Sequence, residues 1–259
     1  MDLGISGRSA IVCGSSRGLG KACATALAAE GVNVVINGLD AERLAKAAQE
    51  LGAIGKGKIT AVQADITTES GRAKLLAACP KADILVNNNA GPPPKDFLAI
   101  EEADWIRGLQ GNMIAAIMLT RALLPNMKEQ RFGRVVNITS AMVTTTRGHM
   151  GISSGARAGL TAVMKGQSID MAKYNVTINN LLPERFDTDR QVFMAKREME
   201  RQGISYEAAR ALQVDSIPAG RHGKPSEFGA TCAFLCSVHA GFMTGHNVHL
   251  DGGAYPSLV

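Results

Sequence analysis

The stretch Ser9-Ala10-Ile11-Val12-Cys13-Gly14-Ser15-Ser16-Arg17-Gly18-Leu19-Gly20 decides the fold. Its opening run, Ser9 to Cys13, is short and largely apolar, the pattern of a buried strand. Three glycines follow in the spacing G-x-x-x-G-x-G, and the chain then enters a helical pattern from Leu19 to Glu30 that Gly31 stops. Strand, glycine turn and helix N-terminus together make an anion site. The glycines let the backbone approach a diphosphate, and the first N–H groups of the helix point at it. The glycine spacing alone is weak evidence; its place between a strand and a helix gives it weight.

The whole chain has 259 residues, 46% of them hydrophobic, enough for one sizeable core. No run of about 18 apolar residues occurs, so no membrane partner is expected. The N-terminus Met1-Asp2-Leu3-Gly4 lacks the order of a secretory leader, which makes the cytoplasm the expected compartment. The five cysteines contain no C-x-x-C pair, and Cys232 and Cys236 read as small core residues of a helix, with no metal site. The net charge of +5 is interleaved and calls for no nucleic acid. Its densest stretch, Glu184 to Arg201, reads as a solvated helix face, with an anionic-ligand surface as the alternative.

Further strands are expected at Val32–Asn37, Thr60–Ala64, Asp83–Val86, Gly133–Thr139, Val176–Leu182 and Asn247–Leu250. Helices are expected between them at Ala41–Leu51 (with Asp40 as N-cap), Thr68–Ala78, Glu101–Lys128, Ser153–Ala172 and Ser226–Ser237 (with Ser226 as cap). Near-continuously apolar strands alternating with helices imply an α/β chain: a single-domain Rossmann fold over residues 1–259, a doubly wound parallel sheet with helices on both faces. Right-handed crossovers bring the glycine loop and the other strand ends to one cleft at the carboxyl edge.

With these motifs placed, the chain resembles the short-chain dehydrogenase/reductase family over nearly its whole length, nearest to its β-ketoacyl-acyl-carrier-protein reductase-like subgroup. The family loop T-G-x-x-x-G-x-G is matched by Cys13 through Gly20, with Cys13 in place of threonine. The resemblance makes Gly14, Ser16, Arg17, Gly18, Leu19 and Gly20 cofactor contacts. Asp65-Ile66 matches the pair at the adenine edge, and Thr188, after Pro183, matches the threonine that holds the nicotinamide carboxamide. Asn88 and Ala90 are expected at the cofactor in the family's N-N-A-G loop. Read literally, that motif is Asn88-Asn89-Ala90-Gly91; counted without a gap from Asp83, it is Asn87-Asn88-Asn89-Ala90.

The catalytic set departs from the family pattern of asparagine, serine, tyrosine and lysine. Asn112 and Ser140 match the first two. Ser153 stands thirteen residues after Ser140, where tyrosine is expected, and Arg157 stands where lysine is expected. None of Tyr174, Tyr206 and Tyr255 has a lysine four residues on. A tyrosine hydroxyl, with a pKa of about 10 in water, can be tuned to protonate an alkoxide. A serine hydroxyl is far less acidic, and arginine stays charged and cannot relay a proton. Arg157 can still bond ribose hydroxyls and hold a positive field. His149, in the flexible stretch Thr144 to Gly151, is either a substitute donor or a loop histidine in solvent.

Cofactor choice rests on Gly38-Leu39-Asp40, which offers no acid or base at the usual places, and on Arg17, similar to a basic residue that contacts a 2′-phosphate. NADP or NAD is expected, with a lean to NADP. The resemblance implies an oxidoreductase moving hydride between nicotinamide and a small carbonyl or alcohol, 3-oxoacyl compounds among them. It also implies a homotetramer, and a lid over the substrate at about residues 185–215. Two alternatives stay open: an impaired NAD(P)-binding or regulatory protein, and a non-catalytic subunit of a hetero-oligomer.

Overall fold

Alternate residues of the first strand face opposite sides of one sheet, and each side has its own core. The computed structural model describes residues 1–258. It contains seven strands: β1 Ser9–Val12, β2 Asn33–Gly38, β3 Ile59–Gln63, β4 Ile84–Asn87, β5 Gly133–Ile138, β6 Val176–Pro183 and β7 Asn247–Leu250. All neighbours pair in parallel, in the order β3-β2-β1-β4-β5-β6-β7. Nine α-helices of the described residues flank it: α1 Gly18–Ala29, α2 Ala41–Gly52, α3 Glu69–Ala78, α4 Glu102–Leu109, α5 Ala115–Glu129, α6 Gly151–Met171, α7 Asp189–Gln202, α8 Tyr206–Asp215 and α9 Pro225–Cys236. Ala10 and Val12 pack with Leu27 of α1, Leu44 of α2 and Phe228 of α9. Ile11 and Cys13 pack with Leu75 of α3, Leu119 of α5 and Leu160 of α6. This is the doubly wound Rossmann sheet that the strand pattern predicts.

The strand order runs outward from β1 to β3 and then jumps back across β1 to β4. The crevice therefore opens between the loops after β1 and β4, where such sheets hold ligands. Helix starts follow local chemistry. The Asp40 carboxylate accepts from Arg43 N at 2.9 Å and the Thr68 hydroxyl from Gly71 N at 3.0 Å.

Two expectations need correction. The helix expected over Glu101–Lys128 is interrupted: α4 passes through a π turn, Gln110–Ile114, before α5 begins. One extra residue in that turn brings Asn112 inward, as π turns at sites commonly do. Ser226 is not a cap. Pro225 opens α9, since its fixed φ suits the first helical position, so the cap moves back to Lys224 and the Glu227 carboxylate accepts from Lys224 N at 2.7 Å.

Candidate active site

The glycine loop is a backbone cradle. Gly14 and Gly18 adopt φ of +53° and +57°, and a Cβ on Gly20 would lie 2.3 Å from Gly14 O. Arg17 caps α1 without a side-chain bond, which leaves the first-turn N–H groups directed at the loop. The loop is held from both sides: Ser15 Oγ donates to Val12 O at 2.6 Å and accepts from Asn37 N at 2.9 Å, and Asn88 Nδ2 donates to Gly14 O at 3.0 Å. Leu19 anchors α1 on the core, and Ser16 lies against Gly38. Cys13 is buried beneath, with its thiol pushed up to about 12 by that burial, and is inert. A tight backbone turn with unpaired donors fits the diphosphate of a dinucleotide.

At the rim, Ile66 is buried, while the exposed Asp65 accepts from Thr67 N at 2.9 Å and Thr67 Oγ1 at 2.8 Å. Asp40 is engaged as a cap, so no free carboxylate stands at the end of β2. Arg17 crosses to Asp189, at the start of α7, at 3.2 Å. Thr188 lies beside Gly18, its Cγ2 4.0 Å from where a Cβ there would be, and its hydroxyl donates to Phe186 O at 3.3 Å. Pro183 ends β6 in the same cleft.

An asparagine ladder crosses the other half of the sheet. Asn87 Nδ2 donates to Asn137 Oδ1 at 2.9 Å, Asn137 Nδ2 to Asn180 Oδ1 at 2.9 Å, and Asn180 Nδ2 to Asn247 Oδ1 at 2.8 Å. Each pair is in register across β4, β5, β6 and β7. Sequence reasoning missed Asn137, Asn180 and Asn247; the available signal was one amide in each of several strands otherwise fit for burial. The loop asparagines divide the work. Asn87 belongs to the sheet and Asn88 to the glycine loop, while Asn89 Nδ2 donates to Gly111 O at 3.0 Å and its Oδ1 accepts from Ala90 N at 2.8 Å.

Ser140 follows β5, its Oγ accepting from Met142 N at 3.2 Å. Arg157 points at that strand end: its Nη1 donates to Ile138 O at 2.9 Å and Thr139 O at 2.7 Å. Burial, with the nearby Arg190 cation, lowers its pKa to about 10, so it remains charged at neutral pH. Ser153 is buried in the first turn of α6. Asn112, on the π turn, makes only long contacts from Nδ2, to Ala90 O at 3.4 Å and Gly108 O at 3.5 Å. Asn87, Asn112 and Arg157 line one small cavity, and each carries a buried atom without a partner: Oδ1, Oδ1 and Nε. His149 sits exposed on a 3-10 turn, its carbonyl accepting from Lys95 N at 2.9 Å.

Of the charged stretch, Lys196, Arg197 and Arg201 are solvated as expected, but Glu184, Arg185 and Arg190 are partly buried, with Glu184 and Arg185 paired to each other at 3.2 Å. Among the described residues no group of metal-binding side chains occurs, and no helix is long and apolar enough to cross a membrane.

A family profile described as enoyl-(acyl carrier protein) reductase matches residues 14–255. The 3-oxoacyl-[acyl-carrier-protein] reductase FabG of Aquifex aeolicus is 30% identical over 259 residues, 98% of this chain and 100% of the relative. The NADPH-dependent reductase BacG of Bacillus subtilis is 29% identical, over 98% of this chain and 100% of its own. The crystal structure of L-sorbose reductase from Gluconobacter frateurii, complexed with NADPH and L-sorbose, superposes with a TM-score of 0.93 at 27% identity, covering all of both chains.

Proposed function

Because the chain belongs to the short-chain dehydrogenase/reductase family, we propose that it is an NAD(P)-dependent oxidoreductase that interconverts a small carbonyl compound and its alcohol. The observation that carries this reading is the Gly14–Gly20 cradle, clamped by Asn88, opening on the same sheet edge as Ser140 and Arg157. Bound there, the nicotinamide supplies or accepts hydride. NADP is the proposed form: the end of β2 carries no free acid to hold a ribose 2′-hydroxyl, and Arg17 stands exposed at the rim, where a 2′-phosphate would take it from its surface pair with Asp189. Two of the relatives above are named for NADPH. Asp65, Ile66, Ala90, Pro183 and Thr188 are proposed to complete the cofactor groove.

Ser140 is proposed to hold the carbonyl oxygen, and Ser153 to be the hydroxyl on the proton path. Arg157 holds a fixed positive charge beside the strand end that carries Ser140. It favours negative charge developing on that oxygen without itself passing a proton. Asn112 anchors the opposite wall. A weak acid in place of a tuned one forfeits part of the roughly 10² to 10⁴ that positioned acid–base catalysis contributes. Slow turnover with NADPH across a panel of ketones, lost by about 10²-fold in Ser140→Ala with unchanged cofactor affinity, is the expected result.

A second reading, a dinucleotide-binding protein without redox chemistry, is favoured by one observation: Arg157 is occupied with strand carbonyls. It predicts that NADPH raises the melting temperature while no carbonyl is reduced. A cytoplasmic homotetramer is proposed for the assembly, supported by the exposed Ile106, Ile114, Val163 and Ile169 on α4, the π turn and α6. Light scattering on the purified protein tests it; a monomer contradicts it.

A further inference from the structure

Arg190 is a cation of the cleft without an acidic partner. It lies in the first turn of α7 and is partly buried. Its one hydrogen bond runs from Nη2 to Pro92 O at 3.1 Å. Among the described residues no carboxylate lies within 4.0 Å of it, whereas Arg17, Arg185 and Arg210 around it are all paired with acids. Its Cζ also stands 5.7 Å from the centroid of the Phe193 ring, but a guanidinium has five donors in a fixed fork, and one neutral carbonyl leaves most of them unused. Holding such a charge half out of water is unfavourable without a counter-charge.

Its position tells what it faces. Asp189, the preceding residue, is turned to Arg17 and the glycine loop. One residue further round the helix, Arg190 is turned to the opposite wall, the loop after β4. At that wall Arg157 Nη2 comes within 3.2 Å of where a Cβ on Gly91 would be. Two guanidinium groups thus meet at residues 91–92, beside the strand end that carries Ser140. The diphosphate cradle, at the N-terminus of α1, is the neighbouring part of the same cleft, reached by Asp189 through Arg17.

We propose that Arg190 binds the carboxylate of the substrate, and that this substrate is a short oxo acid or the matching hydroxy acid. The proposal rests on the oxidoreductase reading for the word substrate, and a carboxylate is recognised through paired charge-assisted bonds from the guanidinium fork in place of the Pro92 carbonyl. A diphosphate oxygen of the cofactor has the same chemistry, and the test separates the two.

Calorimetry on the NADP⁺-loaded protein, with acetoacetate and its neutral methyl ester as probes, reads the inference without needing turnover. The wild type binds the acid at least tenfold more tightly than the ester. Arg190→Gln removes the difference while NADP⁺ affinity stays within twofold, and Arg190→Lys keeps part of the preference. Equal binding of acid and ester by the wild type, or binding of neither, overturns the proposal. So does a tenfold loss of NADP⁺ affinity in Arg190→Gln, which assigns the guanidinium to the cofactor. An absence of ketone reduction, by contrast, would sink the redox reading and leave this comparison standing.

Discussion

Gly20 bears the sharpest steric constraint in the cradle, because a side chain there would run into backbone. A Cβ at this position would stand 2.3 Å from Gly14 O and 2.7 Å from Asn88 Nδ2. Gly20→Ala must therefore shift the loop that Asn88 and Ser15 hold. We expect NADP⁺ affinity to fall at least tenfold by calorimetry, with the helical content of the protein retained; unchanged affinity would remove the glycine loop from the binding site. Arg157 shows the other side of residue-scale reading. Its place in the motif was legible, since Ala158-Gly159-Leu160 keep the family spacing, but its direction was not. A long side chain four residues past Ser153 can reach ribose, solvent or strand, and only tertiary packing shows that Ile138 and Thr139 carbonyls take its donors. Arg190 was hidden for a similar reason. In a run of alternating charges, the inward residue looks like its neighbours until α7 is packed in the fold.

At the scale of elements, the central strands β1, β4 and β5 were legible because burial on both faces leaves them largely apolar, whereas the edge strands β3 and β7 are only partly buried. The break between α4 and α5 was not, because one inserted residue leaves the apolar pattern on either side intact; Gly108 and Gly111 were its faint trace. The asparagine ladder belongs to this scale too, since it needs the register of four strands at once. Asn137 is its middle, giving to Asn180 and receiving from Asn87, and it is fully buried. Asn137→Leu leaves one buried donor and one buried acceptor unmatched, each costing about 1–3 kcal/mol. Chemical denaturation should show a loss of about 2–5 kcal/mol. A loss below 1 kcal/mol would mean that the ladder contributes little to holding the carboxyl edge together.

For the whole molecule, stability against acid follows from carboxylates tied to cations. Lys95 and the Glu101 amide hold Asp104 at about 2, Arg201 holds Glu198 at about 2, and Arg221 holds Glu227 at about 2. In the unfolded chain such groups titrate near 4. Their folded values are depressed, so the stability they contribute is complete above the unfolded values and is lost as pH falls through the folded ones. The melting temperature should fall chiefly between about pH 4.5 and 2, with a smaller decline that begins in the ordinary histidine range, because burial, with the Arg210 cation, lowers the His222 pKa. Glu227 is exposed, and Asp104 and Glu198 are half-buried at the surface; salt screens such pairs, so the fall should be shallower at 1 M than at 0.1 M sodium chloride. A melting temperature that stays flat between pH 4.5 and 2 would contradict this expectation.

The cleft is proposed to move hydride although serine and arginine stand where tyrosine and lysine are expected. Deuterium transfer tests it most directly: NADPH labelled at C4 on each face in turn is incubated with the protein and a panel of oxo compounds, acetoacetate included, and the products are read by mass spectrometry. Label from one face, and not the other, should appear on the carbinol carbon, and Ser140→Ala should lower its rate. No transfer to any acceptor from either face, with NADPH binding demonstrated in the same preparation, would contradict it and leave a protein that holds the dinucleotide without using it.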